Sequence, residues 1–138
     1  MKKTLLLIIF GFISSFSFSQ EIENTYIYKV EKSKSPFGND TTVSYTDLDS
    51  LVIYKNGTFH QTKYFSYLCE YAFTEFVGKW KIENEILILN ITAKKSGKDE
   101  TKWTPLTESV VYKIKRNNIK LIGEPNYTRR KKMKLVRE

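Results

Sequence analysis

The chain has 138 residues, 28% of them charged and 41% hydrophobic, and its formal net charge is +8. A single histidine and a single cysteine are too few for a standard structural zinc site or an internal disulfide. Nine Phe and nine Tyr against three Pro and six Gly favour a domain built from β-strands.

The N-terminus has the features of a secretory signal peptide. Lys2 and Lys3 precede an apolar run at 5–13, and Ser-Phe-Ser at 17–19 has the small-x-small pattern of a cleavage site. The run is far shorter than the roughly 20 residues needed to cross a bilayer. We therefore predict that 1–19 is removed and that the mature chain is exported to the periplasm or beyond, with no transmembrane span. A retained signal-anchor is the alternative.

Strand signals begin shortly after this segment. Tyr26–Glu31 and Thr41–Tyr45 are rich in aromatic and β-branched residues, which predicts the first two strands. The intervening 32–40 contains Ser, Pro, Gly and Asn, so it is predicted to be a loop.

The first hairpin is indicated by an Asn-Gly pair at 56–57. This pair is the strongest short hairpin signal, and it lies between two predicted strands, 51–54 and 58–64. A two-residue turn would place Tyr54 opposite Phe59, whereas a bulge at the glycine would shift this register.

The segment 64–76 mixes two patterns. Tyr64 and Tyr71 belong to a series with helical spacing, but the density of aromatic residues favours strands. We predict a loop near 66–69 and then a strand that runs into Val77.

The stretch GKWKIENEILILNI, residues 78–91, predicts an antiparallel hairpin around its central Asn-Glu. This pairing places Trp80 opposite Leu89 and Ile82 opposite Leu87 on one face. Trp80 is expected to fill the core, and the alternative is a tryptophan that stacks on a ligand inside a cavity.

The C-terminal third carries another loop, a short strand and a third hairpin. In chain order these are a polar loop at 93–100, a strand at 101–104 that ends at Pro105, and a hairpin of 110–115 with 119–122. Asparagines at 117 and 118 tolerate the positive φ of a two-residue turn, which would place Ile114 opposite Leu121.

These cues predict an all-β fold, an antiparallel meander of eight to ten strands in one domain over 20–128. Closure of the meander removes exposed edges, which favours a barrel, and a flattened sandwich is the alternative. Residues 129–138 follow as a basic tail or a final edge strand. An ordinary solvated tail is one interpretation, and contact with an anionic surface is the other. The cations proposed for that contact are Arg129, Arg130, Lys131, Lys132 and Lys134.

Three motifs in the middle of the chain carry a family resemblance. They are Leu51-x-Ile53-x(3)-Gly57-Thr58-Phe59, Gly78-x-Trp80-x-Ile82 and Ile86-Leu87-Ile88-Leu89. Together, over residues 48–92, they resemble small exported bacterial lipocalin-like β-barrel proteins. The resemblance implies a barrel that encloses a small apolar ligand in its mouth.

Candidate catalytic residues are scarce. His60 is the only histidine and Cys69 the only cysteine, and packing in an aromatic hairpin explains both without chemistry. Asp47 and Asp49, with Asp40 nearby, suit a turn before the next strand better than weak calcium binding, because the EF-hand series is missing. No nucleotide-binding glycine pattern occurs. We predict no catalytic, cofactor or metal site.

The sequence therefore favours an exported, non-enzymatic β-barrel that binds something, and a small apolar ligand is the first candidate. The alternative is a cell-envelope structural or protein-interaction module with a filled core and a basic tail. Nucleic acid is not expected as a partner of an exported protein. The residues expected to line a ligand-binding interior are Trp80, Ile82, Leu87, Leu89, Phe59 and Tyr112.

Overall fold

Eight antiparallel strands form a closed barrel in the computed structural model, which describes residues 21–34, 43–68, 70–97, 102–123 and 132–137. The strands are β1 (Ile22–Lys34), β2 (Val43–Tyr54), β3 (Thr58–Tyr67), β4 (Glu70–Glu83), β5 (Ile86–Ser96), β6 (Thr104–Lys115), β7 (Asn118–Leu121) and β8 (Lys132–Leu135). Each strand pairs with the next along the chain, and β8 pairs with β1. The predicted all-β meander is confirmed, and it closes as a barrel.

Some predicted features lie outside the described residues. These are the signal peptide at 1–19, Cys69, and three of the five surface cations, at 129–131. Within the described part of the chain, no helix has the length and apolarity to cross a membrane.

The structure corrects the prediction of two separate strands at 41–45 and 51–54. A single strand, β2, runs from Val43 to Tyr54. Asp47 and Asp49, interpreted as turn residues, are instead buried on the inward face of β2 at 4% and 0% exposure. Alternate residues of a strand face the barrel interior, and polar ones stay buried there when they have hydrogen-bonding partners. These contacts override the turn preference of aspartate.

The first hairpin follows the bulged alternative. Ile53 pairs with Phe59, one residue away from the register of a two-residue turn. Gly57 has φ +83°, and its N–H donates to the Tyr54 carbonyl at 3.0 Å. A three-residue loop with glycine in the left-handed region produces this shift.

The second hairpin confirms the predicted pairs, and the third does not. Trp80 pairs with Leu89 and Ile82 with Leu87 across a turn in which Asn84 and Glu85 both have positive φ. In the third hairpin the turn lies one residue earlier than predicted, at 116–117. Ile114 therefore pairs with Ile119 and not with Leu121.

Two further boundaries differ from the predictions. β3 continues to Tyr67 and β4 begins at Glu70, so the loop predicted near 66–69 is shorter. Pro105, predicted to end a strand, is the second residue of β6. Proline is tolerated there because this part of β6 pairs only with β5 on one side, within the described residues.

The apolar core fills the barrel near the end where tight turns join β2–β3, β4–β5 and β6–β7. Alternate residues of the strands point inward and meet there. Each such side chain contributes about 1.5–3 kcal/mol on burial. The described apolar side chains with 0–2% exposure are Leu51, Ile53, Phe59, Leu87, Leu89, Tyr112, Ile119 and Met133.

Gly78 lies at a close approach between β4 and the backbone of β5. The register of β4 on β5 shifts between Val77 and Gly78, which is a β-bulge. A Cβ at position 78 would overlap the Asn90 carbonyl oxygen and lie 2.9 Å from the Phe59 ring. Neither the backbone carbonyl nor a buried ring is free to move aside, so only glycine fits.

We expect Gly78→Ala to lower the free energy of unfolding by about 3 kcal/mol or more, as overpacking against backbone does. Gly57→Ala is the matched control, because nothing lies within 4 Å of its Cβ and only its positive φ is unfavourable. That change should cost about 1–2 kcal/mol. Urea unfolding of both variants measures the difference. An equal or smaller loss for Gly78→Ala would contradict the close approach.

Candidate functional site

The residues predicted to line a binding interior fall into three groups. Phe59, Leu87, Leu89 and Tyr112 have 0–2% exposure and belong to one packed core cluster. Trp80 packs against that cluster, and its indole N–H donates to the Tyr54 carbonyl at 2.8 Å. The tryptophan therefore fills the turn-bearing end of the barrel.

Ile82 departs from its predicted interior position. It is 46% exposed, because it lies one residue from the end of β4, where the barrel wall stops. Its neighbour across the ladder, Leu87, is fully buried. Ile82 is on the inward-facing side of β4, but it lies so close to the strand end that it sits on the rim of the barrel.

The other half of the interior is polar. Asp49 accepts a hydrogen bond from Gln61 Nε2 at 2.8 Å and forms an ion pair with Lys63. These three side chains are 0–8% exposed. Burial raises the pKa of Tyr112 well above its ordinary value, and the charge of Asp49 adds to this, while a hydrogen bond with Gln61 opposes it. The polar groups stay buried because they satisfy one another.

Asp47 lies two residues from Asp49 on the same strand. The Tyr45 hydroxyl donates to its Oδ2 at 3.3 Å. In the part of the chain that the structure describes, no three His, Cys, Asp or Glu residues are placed to hold a metal ion.

A concave site lies on the outer face of β3, β4 and β5. Its volume is about 520 Å³. Two irregularities in strand pairing shape this face. Opposite Val77 and Gly78, Thr92 is an extra residue of β5, and between Ile91 and Ala93 the extra residue lies on β6. Bulges bend a strand and redirect its side chains. We call this site the outer groove.

The polar side of the outer groove is a chain of three titratable residues. His60 Nε2 and Glu75 Oε1 are 2.9 Å apart, and the other oxygen of Glu75 pairs with Lys95. Because an ionised Glu75 only accepts hydrogen bonds, His60 Nε2 carries the hydrogen and donates it. Burial alone would raise the pKa of Glu75. Hydrogen bonds and charges from Lys95 and His60 outweigh it and hold that pKa below its ordinary value.

The apolar side of the groove is aromatic. Trp103 lies beside it and is 41% exposed, and Lys95 Nζ is 5.0 Å from the centroid of its ring. Lys95 thus contacts both the Trp103 ring, through a cation–π interaction, and the Glu75 carboxylate. Tyr54 and Val77 also line the groove, and exposed Lys79 stands at its edge. The site therefore offers an aromatic wall and a few convergent polar groups, the usual composition of a small-molecule site.

The two threonine side chains in this lining already donate elsewhere. Thr58 Oγ1 donates to Asn56 Oδ1 at 2.6 Å, and Thr92 Oγ1 donates to the Val77 carbonyl at 3.3 Å. Neither is positioned as a nucleophile on His60, which would need a hydroxyl within hydrogen-bond reach. The arrangement of these groups is suited to binding.

The sequence analysis did not identify Glu75, Lys95 or Trp103 as site residues. Lys95 fell in a segment interpreted as a polar loop, and Trp103 in a short separate strand. The available signal was the carboxylate of Glu75, which lies directly opposite Thr62, two residues from His60 on the same face of β3. That signal needs the register of β3 on β4 before it can be used.

Comparison of the chain with models of protein families, with curated proteins and with solved structures finds no match in any of the three.

Breaking the buried ion pair is expected to be costly. Lys63→Met leaves the carboxylate of Asp49 buried with only Gln61 as a partner, so the free energy of unfolding should fall by about 3–5 kcal/mol. The double variant Lys63→Met/Asp49→Leu removes both charges and should recover most of the loss. Chemical denaturation of both measures this. A double variant no more stable than Lys63→Met would contradict the ion-pair account.

The lowered pKa of Glu75 predicts a pH dependence of stability. A carboxyl whose pKa is lower in the folded state adds stability above its ordinary pKa, and this is lost as pH falls through the folded value. Glu75→Gln should therefore be less stable than the native protein at pH 7, and the gap should narrow below about pH 4. Glu83→Gln, which alters the exposed Lys81–Glu83 pair, is the control and should show little change. A gap that widens on acidification would refute the prediction.

Proposed function

We propose that the protein is an exported, non-enzymatic, lipocalin-like β-barrel that binds a small, mainly apolar ligand bearing one polar group. The observation that carries this proposal is the outer groove, with Trp103 on one side and the His60–Glu75–Lys95 chain on the other. The ligand's apolar body packs on the indole ring, and its polar group meets the titratable chain.

The outer groove is favoured over the barrel interior because of packing. The apolar half of the interior is occupied by core side chains with 0–2% exposure. The polar half is occupied by the Asp49–Lys63 pair and Gln61, which bond to one another. A ligand in either half would displace groups that are already satisfied, whereas the groove is open.

The groove is also preorganised. Glu75 has a side-chain exposure of only 12% and is held from two sides. A site whose polar groups are fixed before binding loses less entropy when the ligand arrives.

A second candidate function is an interaction module of the cell envelope. The observation that favours it is an exposed aromatic tip where β3 meets β4. Tyr45 and Phe65 pack edge to face at 5.4 Å, and Tyr64 and Tyr71 stack at 6.4 Å. Four residues of this tip are 40–63% exposed: Phe65, Tyr67, Leu68 and Tyr71. Exposed apolar groups in a contiguous patch are typical of contact surfaces.

Binding of the neutral fluorophore 1-N-phenylnaphthylamine tests the first proposal. We expect one saturable site on the native protein and about tenfold weaker binding to Trp103→Ala, because the aromatic wall is removed. Ile122→Ala removes a comparably exposed apolar side chain, 51% exposed, outside the groove lining and should bind as the native protein does. Unchanged affinity of Trp103→Ala would rule out the outer groove as the site. A matching loss in Tyr67→Ser would favour the aromatic tip.

A further inference from the structure

A row of lysines crosses the outer face of β6, β7 and β8. Lys113 pairs with Lys120, and Lys120 pairs with Lys132, so the three lie directly opposite one another on adjacent strands. All three side chains are exposed. Side chains directly opposite in an antiparallel sheet have Cβ atoms roughly 4.5–5.5 Å apart. We call these three residues the lysine ladder.

This arrangement is unfavourable without a counter-charge. Like charges directly opposite in a sheet are destabilising. Neither Asn118–Leu121 nor Lys132–Leu135 contains an Asp or a Glu that would offset them. The ladder therefore presents concentrated positive charge that an anion would relieve.

A cleft adjoins the ladder at the seam of the barrel. Within the described residues, the ladder of β1 and β8 pairs Tyr26 with Leu135 and Ile27 with Lys134, and the Val136 N–H donates to the Thr25 carbonyl at 2.8 Å. Extending that register by two residues would bring Lys29 opposite Lys132, but there the strands part. The resulting cleft has a volume of about 520 Å³.

The seam cleft combines apolar and cationic groups. Ile27, Leu135 and Val136 supply its apolar surface, while Lys132 and Lys134 stand at its edge. Lys29 also lines it and forms a salt bridge with Glu31 at 2.8 Å, but both side chains are more than half exposed. Such an exposed pair contributes little and leaves Lys29 available.

We propose that the lysine ladder and the seam cleft together bind a phosphate-bearing lipid. The phosphate lies against the ladder, and one acyl chain enters the cleft along Ile27 and Val136. The apolar lining next to the cations is what favours a lipid over a purely polar polyanion, because a polyanion would leave that lining in water. This site lies on strands other than those of the outer groove, so it stands independently of the proposed function.

The probe is monomeric dihexanoyl phosphatidic acid, and isothermal titration calorimetry measures its binding to the full mature chain. We expect saturable binding, weaker binding of tripolyphosphate, which has the charge without the chain, and none of dihexanoyl phosphatidylcholine at the same concentration. Tripolyphosphate binding as tightly as phosphatidic acid would overturn the role of the cleft. Absence of phosphatidic acid binding would overturn the proposal as a whole.

Single substitutions distinguish the contribution of the lipid phosphate from that of the acyl chain. Lys132→Gln should weaken phosphatidic acid binding about fivefold, the usual contribution of one lysine at an anionic lipid surface. Lys81→Gln makes the same charge change on β4, four strands away around the barrel, and should have no effect. Val136→Ser, at a position 43% exposed, should weaken phosphatidic acid binding and leave tripolyphosphate unchanged. Equal effects of Lys132→Gln and Lys81→Gln would show that only net charge matters.

One variant distinguishes a specific loss of binding from a loss of folding. Lys120→Glu turns the ladder into alternating charges, so it should raise Tm by about 2–6 °C while abolishing phosphatidic acid binding. A more stable protein that no longer binds cannot be explained by unfolding. Retained binding in this variant would refute the ladder as the phosphate site.

Discussion

The buried pair of Asp49 and Lys63 fixes the register of β2 on β3, and the interior depends on that register. The two residues lie directly opposite in the ladder, and both face inward. Because successive side chains of a strand alternate between faces, a slip of one residue would bring the outward set of β2 inside and expose Leu51 and Ile53. A buried ion pair adds little net stability compared with apolar packing, but it strongly penalises any arrangement in which one partner is left alone. The pair thus specifies the register of β2 on β3 in the polar half of the barrel.

The filled interior explains why concave sites form on the outside. Among the described residues, core side chains occupy one end of the interior and a hydrogen-bonded polar network occupies the other. The outer face obtains its curvature from irregular pairing. Bulges near Gly78 and Thr92 bend the wall beneath the outer groove, and early separation of β1 from β8 opens the seam cleft. The irregular pairing beneath the outer groove and the short ladder between β1 and β8 are thus each associated with one candidate binding site.

The sequence predicts the strands far better than the sites. The pairing of Trp80 with Leu89 follows from alternation, because apolar and charged residues are sorted cleanly along that hairpin. Alternation fails for Gln61 and Lys63, which as polar residues suggest solvent although they share a face with Phe59. The outer groove is less predictable still, because the displacement caused by one extra residue at Thr92 leaves no mark in composition. Its residues come from four strands and a connecting segment, and only a known register brings them together.

The connectivity also dictates the order in which the barrel can be completed. Seven of the eight strand pairings join neighbours along the chain, which form locally and early, whereas the eighth joins Ile27 to Lys134 across almost the whole sequence. Until β8 has been synthesised, the described strands can form only an open sheet with unpaired edges, so the ring cannot close early. The same connectivity means that the native barrel closes only when β8, which is four residues long, pairs with both β7 and β1.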